Sequence, residues 1–425
     1  MNIEQLYNLF KINNSVSTDT RAIKKGSIFF ALKGANFNGN KFAEDALKKG
    51  ASYAVIDEEK YKSDDKIILV ENVLETLQNL ATFHRNYLRL PIISLTGSNG
   101  KTTTKELINA VLSKNYNTCA TLGNLNNHIG VPLTLLSMNS STEIGIVEMG
   151  ANHLKEIALL AKIARPDYGY ITNFGKAHLE GFGSLEGVIK GKTELYDYLR
   201  KQHKMVFINS EDEIQSTKSK GISSITFGKK DVDYPIEYVD ANPFVVLKFN
   251  NERIESKLIG SYNFNNIAAA IAIGKYFKVS DQLIKEAIEN YIPINNRSQI
   301  IEKGTNKIIL DAYNANPSSM KVALENFSNL TDGSKIAILG DMFELGSEAS
   351  AEHQKIVELV ERLNIDAIYL LGENFYKTKS KNDKIKKFIS FEGFKEVFEN
   401  TLIEKSTILI KASRGMALER ILEEL

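Results

Sequence analysis

The 425-residue chain has no tryptophan, one cysteine and only seven prolines. A single thiol, Cys119, cannot close an intramolecular disulfide, so a disulfide scaffold is excluded and a reducing compartment is the simpler setting. No window supplies the roughly 18 consecutive apolar residues of a membrane-spanning helix. The uncharged and largely apolar stretch from Leu258 to Gly274 is interrupted by Ser261-Tyr-Asn-Phe-Asn-Asn266. The first residues, MNIEQLYNLFKINN, carry Glu4 and lack a basic start followed by an apolar run, so no signal peptide is expected. Charge of one sign is lacking too. Lys and Arg total 53 against 52 Asp and Glu, a net charge of +1 that sets up no global field for nucleic acid or an anionic membrane. No repeat and no low-complexity segment is present. These absences lead to the expectation of a cytoplasmic protein that binds neither nucleic acid nor membrane, and a monomer is expected because no oversized apolar surface is inferable.

What is present is ordinary globular composition, 43% hydrophobic and 25% charged. At about 100–200 residues per domain the length fits two to four domains. From about residue 90 onward, apolar strand-like runs alternate with helical patterns. Ile92–Thr96, Ile144–Glu148, Tyr168–Thr172 and Met205–Asn209 read as strands, with a helix predicted from Thr103 to Leu112. Lys307–Asp311, Ile336–Leu339, Ala367–Leu371 and Thr407–Lys411 repeat the grammar, with a helix predicted from Ala351 to Arg362. The first 88 residues differ, with short strands at Ser27–Leu32 and Tyr53–Ile56 and one helix near Lys41–Lys49. Leu90-Pro91 and the aperiodic Tyr291–Arg297 segment mark boundaries. The expected fold is α/β in three domains, residues 1–88, 89–295 and 296–425. The central one would be built on a P-loop-type, mainly parallel sheet, and the last would be Rossmann-like.

Thr96-Gly97-Ser98-Asn99-Gly100-Lys101-Thr102-Thr103 lies between a predicted strand and a predicted helix. Gly97 and Gly100 let the backbone approach an anion, the amides and the helix N-terminus point at it, Lys101 adds a mobile charge and Thr102 a hydroxyl for Mg²⁺. Leu95 stands where the eight-residue P-loop has its first glycine, so the loop is a shortened variant. The competing reading is a glycine-rich turn that only caps a helix. Glu148 ends a strand candidate, where a carboxylate faces the ligand crevice of a parallel sheet and suits a hard cation. Taken alone, a strand-end Glu is more often an exposed residue making a surface ion pair. His178, just past the next strand, reads as a cation ligand or as a loop histidine with a local hydrogen bond. Lys192 looks like a solvated helix charge. Asn263 reads as a contact for a base edge or as a helix N-cap. Arg297 sits in the linker, where a guanidinium can bridge a nucleotide and two domains. Asp311-Ala-Tyr-Asn-Ala-Asn-Pro317 reads as a strand-to-helix turn with Asx caps.

Taken together, the loop, Glu148-Met-Gly150, Asn173 through His178 and Gly260-Ser-Tyr-Asn-Phe-Asn-Asn266 resemble the Mur ligase family of cell-wall enzymes. Four stretches narrow the likeness to members that join D-alanyl-D-alanine to a UDP-N-acetylmuramoyl-tripeptide. They are Gly123–Asn127 with Ile129–Thr134, Asp311–Pro317, Leu339-Gly-Asp-Met-Phe-Glu-Leu-Gly346 and Lys411-Ala-Ser-Arg414. The resemblance implies ATP and two Mg²⁺ ions, with the tripeptide carboxylate activated as an acyl phosphate. By position it implies Thr102 and Glu148 as ligands of one Mg²⁺ and His178 of the second. Lys192 matches a lysine that becomes carbamoylated and thereby binds metal. Asn266, Arg297 and Asp311 match nucleotide-binding positions. Ser17, Asp19, Arg21 and Lys33 match the UDP-binding region, Asn126 and Asn127 the substrate loop, and Lys411, Ser413 and Arg414 the segment that holds the incoming dipeptide. Leu310 and Ala412 depart from the narrower pattern, where Asp and Gly often stand. Competing expectations are a Mur ligase adding a single amino acid, a folylpolyglutamate synthase and a nucleotide-binding regulatory module.

Overall fold

The computed structural model describes every residue except 295, 332 and 402, so the last residue of the expected central domain lies outside the described ones. Three sheets organise the chain. The central sheet runs across Glu252–Ile259, Phe244–Phe249, Tyr234–Ala241, Ser223–Gly228, Met205–Asn209, Tyr168–Ile171, Ile92–Thr96, Ile144–Glu148 and Thr118–Ala120. The strands from Thr118–Ala120 to Tyr234–Ala241 are parallel, and the last two join antiparallel. Ile92–Thr96 and Ile144–Glu148 are buried at every position, as expected for strands covered on both faces. Strand order reverses beside Ile92–Thr96, which pairs with Ile144–Glu148 on one side and Tyr168–Ile171 on the other. A crevice therefore opens at their carboxyl ends, where Gly97, Glu148 and Thr172 stand.

The antiparallel extension, residues 234–259, was not expected. Its strands carry the signal nonetheless: Glu252–Ile259 alternates exposed and buried positions, the period of a half-buried strand. The short helix near Lys41 is shorter than read, Ala43–Lys48 after a 3-10 turn at Gly39–Phe42.

The C-terminal sheet runs Gln299–Lys303, Asn306–Asp311, Ser406–Lys411, Ser334–Gly340, Ala367–Leu371 and Ile385–Phe388, all parallel except the first pair. Its register sets Asp311 directly beside Lys411 at the carboxyl ends. The N-terminal sheet is parallel: Val16–Ser17, Ile28–Phe30, Tyr53–Ile56 and Ile67–Leu69. The helix Val73–Leu88, capped by Asn72, belongs by sequence to the first domain but packs on the central one. Its Arg85 reaches Asp167 at 2.6 Å, and His84 Nε2 meets the Met138 carbonyl at 2.9 Å. One hydrophobic cluster holds Phe30, Val147 and Leu339, one from each sheet, so the three units share a core. Among the described residues no helix is long and apolar enough to cross a membrane.

Candidate active site

The glycine-rich loop leaves the strand at Thr96 and enters the helix Lys101–Leu112, two residues earlier than the sequence pattern suggests. Gly100 is the N-cap, in the left-handed region at φ +77°, and no side chain caps the helix. The first-turn N–H groups are thus left for an anion. A Cβ on Gly100 would lie 2.6 Å from Asn266 Oδ1, and one on Gly97, at φ +145°, 1.9 Å from Thr172 Oγ1. Neither position admits a side chain. The loop is tied down by Asn99 N donating to Asn173 Oδ1 at 3.0 Å and Thr172 Oγ1 donating to the Asn99 carbonyl at 2.6 Å. Lys101 Nζ folds back onto the Gly97 carbonyl at 2.8 Å. Withdrawal from water pushes its pKa below the usual lysine range; Glu148 opposes this shift and Arg297 adds to it.

Glu148 is 1% exposed. Its Oε2 accepts from Thr102 Oγ1 at 2.9 Å and its Oε1 from Asn126 Nδ2 at 2.8 Å. The surface-pair reading is therefore wrong: this is a buried carboxylate held by two neutral donors at the mouth of an anion-binding loop. A carboxylate and a hydroxyl side by side form an oxygen donor set that fits Mg²⁺. Among the described residues no three His, Cys, Asp or Glu side chains gather as a metal cluster, so a cation here would complete its oxygen ligands from substrate phosphates and water.

His178 occupies the left-handed region at φ +53° and its Nδ1 meets Glu344 Oε2 across the cleft. That bond holds the Glu344 carboxyl below its ordinary range. Lys192 is the sharpest correction. It is not solvated: the side chain is fully buried, Nζ donating to the Ala151 carbonyl at 3.0 Å and lying 5.1 Å from the Phe182 ring. Burial, then Lys101, push its pKa well below the usual lysine range, against Glu156 and Glu194. The signal was in the helix period. Val188, Gly191, Lys192, Leu195, Tyr196 and Leu199 form the buried stripe of Leu185–Lys201, so the lysine sits in an apolar face.

The C-terminal unit closes the other wall. A cavity of about 940 Å³ is lined by the loop, Asn126, Asn127, Glu148, His178 and Asn266 on one side and by Arg297, Asp311, Lys411 and Arg414 on the other. Asp311 Oδ2 and Lys411 Nζ pair at 2.5 Å. The Arg297 guanidinium lies 3.7 Å from the Tyr313 ring centroid, and its Nε is buried without a hydrogen-bond partner among the described residues. Asn266 is engaged with Thr104 and Asn263, and Asn263 is not the cap: Tyr262 is, while Asn263 bonds the Ile259 carbonyl. Asn127 caps the turn before Gly130–Ser137 through the N–H groups of Ile129 and Gly130.

Four expected residues stand elsewhere. Ser17, Asp19, Arg21 and Lys33 are on the N-terminal unit and do not line this cavity. Asp19 pairs with Arg21 at 2.7 Å, which holds its carboxyl down to about 2, and Lys33 pairs with Asp57 at 3.0 Å. Lys192 and Ser413 are also outside the lining: Lys192 lies behind it, bonded to the carbonyl of the lining residue Ala151, and Ser413 Oγ accepts from Phe343 N at 2.9 Å.

Sequence reasoning missed the cross-cleft ties. Asn316 does cap the helix Pro317–Ser328, with Pro317 in its first turn, as the turn reading expected. Its Nδ2 also donates to Asn99 Oδ1 of the phosphate loop at 2.7 Å. Lys176 N donates to Ser318 Oγ and Lys176 Nζ to Glu352 Oε1, at 2.9 and 2.8 Å. Buried Lys105, another lysine inside a helix, bonds the Thr121 carbonyl at 2.5 Å.

Three family descriptions match along the chain: the Mur ligase family catalytic domain over residues 14–85, the Mur ligase middle domain over 95–274 and the Mur ligase glutamate ligase domain over 296–417. The UDP-N-acetylmuramoyl-tripeptide–D-alanyl-D-alanine ligase of Bacillus subtilis is 33% identical over 97% of this chain and 93% of its own length. The Escherichia coli enzyme of the same name is 31% identical over 97% and 93%. The crystal structure of MurF from Acinetobacter baumannii superposes with a TM-score of 0.88 at 28% identity, covering 97% of this chain and 93% of that one. MurF ligase from Thermotoga maritima, solved in complex with ADP, superposes at 0.86 with 27% identity and 97% of both chains covered. With a nucleotide-type loop, a buried carboxylate and a second α/β unit closing over them, and with relatives matched from end to end, the chain belongs to the Mur ligase family.

Proposed function

We infer that the protein joins D-alanyl-D-alanine to UDP-N-acetylmuramoyl-tripeptide at the expense of ATP, in cytoplasmic synthesis of the peptidoglycan precursor. The observation that carries this is the convergence of Lys101, Thr102–Glu148, Arg297 and the Asp311–Lys411 pair on one cavity between two α/β units. The relatives matched over nearly the whole chain bear that ligase's name.

ATP lies with its phosphates on the amides of Gly97–Thr103. Thr102 and Glu148 would hold one Mg²⁺, and His178 with a carbamoylated Lys192 would hold the second. Bound there, the ions supply charge neutralisation on the phosphate oxygens. Lys101 stabilises the charge that builds on the transferring phosphoryl group. An oxygen of the tripeptide carboxylate bonds to the γ-phosphorus as the bond to ADP breaks. The dipeptide amine then bonds to the acyl carbon and loses a proton, and phosphate leaves with the C–O electron pair. The C-terminal unit excludes water from that acyl phosphate. Residues 1–88 hold the UDP-muramoyl end through Ser17, Asp19, Arg21 and Lys33, 89–295 hold ATP, and 296–425 hold the dipeptide through Lys411, Arg414 and the backbone that Ser413 fixes. Asn266, Arg297 and Asp311 hold the nucleotide.

The Lys192 assignment is supported by the amine's burial. A neutral amine in a dry site attacks the carbon of CO₂ and releases a proton, and the resulting carbamate is stable away from water and turns a cation into a metal-binding anion. A single-amino-acid ligase or a folylpolyglutamate synthase would leave the match to dipeptide-adding relatives over 97% of the chain without a reason. A regulatory module would leave buried Glu148 and Lys192 without one. Tripeptide labelled with heavy oxygen in its terminal carboxylate tests the reading. Label in the released phosphate, with formation of the pentapeptide product, supports it; product without label in phosphate refutes the acyl-phosphate route. Isotopic bicarbonate with nuclear magnetic resonance tests Lys192: a carbamate carbon signal lost in Lys192→Met is expected, and its absence refutes the modification.

A further inference from the structure

Two arginines share one aromatic ring at the cleft. Arg297 comes from the linker and lies with its guanidinium carbon 3.7 Å from the Tyr313 centroid; Arg414 comes from the loop after Ser406–Lys411 and lies 5.1 Å from the same centroid. Tyr313, Arg297 and Arg414 all line the cavity. The backbone that delivers Arg297 is unusual. Both its neighbours, Asn296 at φ +56° and Ser298 at φ +50°, are in the left-handed region that non-glycine residues seldom enter. That conformation is held from outside. Tyr313 N donates to the Asn296 carbonyl at 3.2 Å, Ser298 N to Asp311 Oδ1 at 3.3 Å, and the Ser298 and Tyr262 hydroxyls meet at 2.8 Å. Arg297 Nε is buried and has no hydrogen-bond partner among the described residues. Like charges gathered on one ring, one of them with an unused buried donor, make a site incomplete without an anion.

The geometry points to Tyr313 as a positioning residue: its ring holds the nucleotide-side Arg297 and the acceptor-side Arg414 in fixed relation, so that one side chain sets the affinity for both the nucleotide phosphates and the dipeptide carboxylate. This rests on the roles given to Arg297 and Arg414 above. Tyr313 touches neither reactant in this assignment; it acts through the two guanidiniums. What matters is the ring face, not the hydroxyl.

The experiment uses the full-length protein, with ADP binding followed by calorimetry and KM for D-alanyl-D-alanine by phosphate release. Tyr313→Leu is expected to weaken ADP binding and raise the dipeptide KM, each about tenfold, while Tyr313→Phe stays within about twofold, because a cation over a partly desolvated ring contributes on that scale. In an Arg297→Ala background, Tyr313→Leu is expected to cost no further ADP affinity. Tyr313→Gln repeats the test without a ring, should Tyr313→Leu not fold. A folded Leu or Gln variant with either affinity unchanged, or a Phe variant as weak as Leu, overturns the inference. If Arg297→Ala leaves ADP affinity unchanged, or Arg414→Ala leaves the dipeptide KM unchanged, the underlying role assignment fails, and the inference fails with it for that separate reason.

Discussion

Replacing Gly100 by alanine brings two costs that can be separated. The residue sits at φ +77°, and a left-handed conformation costs a non-glycine residue about 1–2 kcal/mol. The new Cβ would also stand 2.6 Å from Asn266 Oδ1 and 3.0 Å from its Nδ2. Asn266 cannot yield without loss, since it accepts from Thr104 Oγ1 at 3.0 Å and donates to Asn263 Oδ1 at 2.8 Å inside the core. Losing both bonds adds about 2 kcal/mol. Gly26 is the control: at φ +88° it has nothing within 4 Å of a Cβ, so Gly26→Ala carries the backbone cost alone. The predicted losses are about 3–4 kcal/mol for Gly100→Ala and about 1–2 for Gly26→Ala. With a urea dependence near 3 kcal/mol per molar, the midpoints differ by about 0.7 M. Tyrosine emission can follow the transition, because no tryptophan interferes. Adding Asn266→Ala removes the clash and should make Gly100→Ala cost no more than Gly26→Ala does. Equal losses for the two glycine variants, or no relief in the Asn266→Ala background, would refute the argument that the loop glycine is required by close approach.

Glu148→Gln keeps the shape and removes the charge; turnover should fall by at least a hundredfold while the urea midpoint stays within error, since removing a transition-state charge contact costs about 3 kcal/mol or more. Burial, with Tyr87 adding, holds the Tyr7 phenol up to about 12. Its folded pKa is thus above the unfolded one, so its contribution is whole below about pH 10 and is lost as pH rises through 12. Tyr7→Phe forfeits the 3.1 Å bond to His84 Nδ1, about 1 kcal/mol near neutrality, and urea midpoints of variant and parent should converge as pH is raised past about 10; a constant gap speaks against the assignment. Glu352, buried between Lys176 and Lys355, ties the C-terminal unit to the central one. Glu352→Gln should raise the radius of gyration in scattering without nucleotide, and an unchanged profile would remove this tie from the account.

How much of this was legible depended on the range of the signal. Ile92–Thr96 and Ile144–Glu148 are short apolar runs followed by glycine motifs, and local pattern suffices to read them as buried strands opening a crevice. Residues 234–259 drew no strand reading, although Glu252–Ile259 alternates by two with Arg253, Glu255 and Lys257 on its outer face. Lys192 was misread because charge outweighed period; its place in the stripe with Val188 and Leu195 was available from the helix repeat alone. Asn263 was misplaced by a single position, the ordinary uncertainty of helix ends. The bond from Asn316 to Asn99 spans 217 residues, and no local rule announces it. Glu344 meets His178 for the same reason, through packing of two units whose facing surfaces are set only once both have folded.

The most direct test of the central claim is ADP and phosphate release from Mg-ATP with UDP-N-acetylmuramoyl-tripeptide and D-alanyl-D-alanine, each omitted in turn. The account predicts release only with all three present, in step with the pentapeptide product. Release that ignores the dipeptide, or that a single amino acid supports equally well, would contradict it.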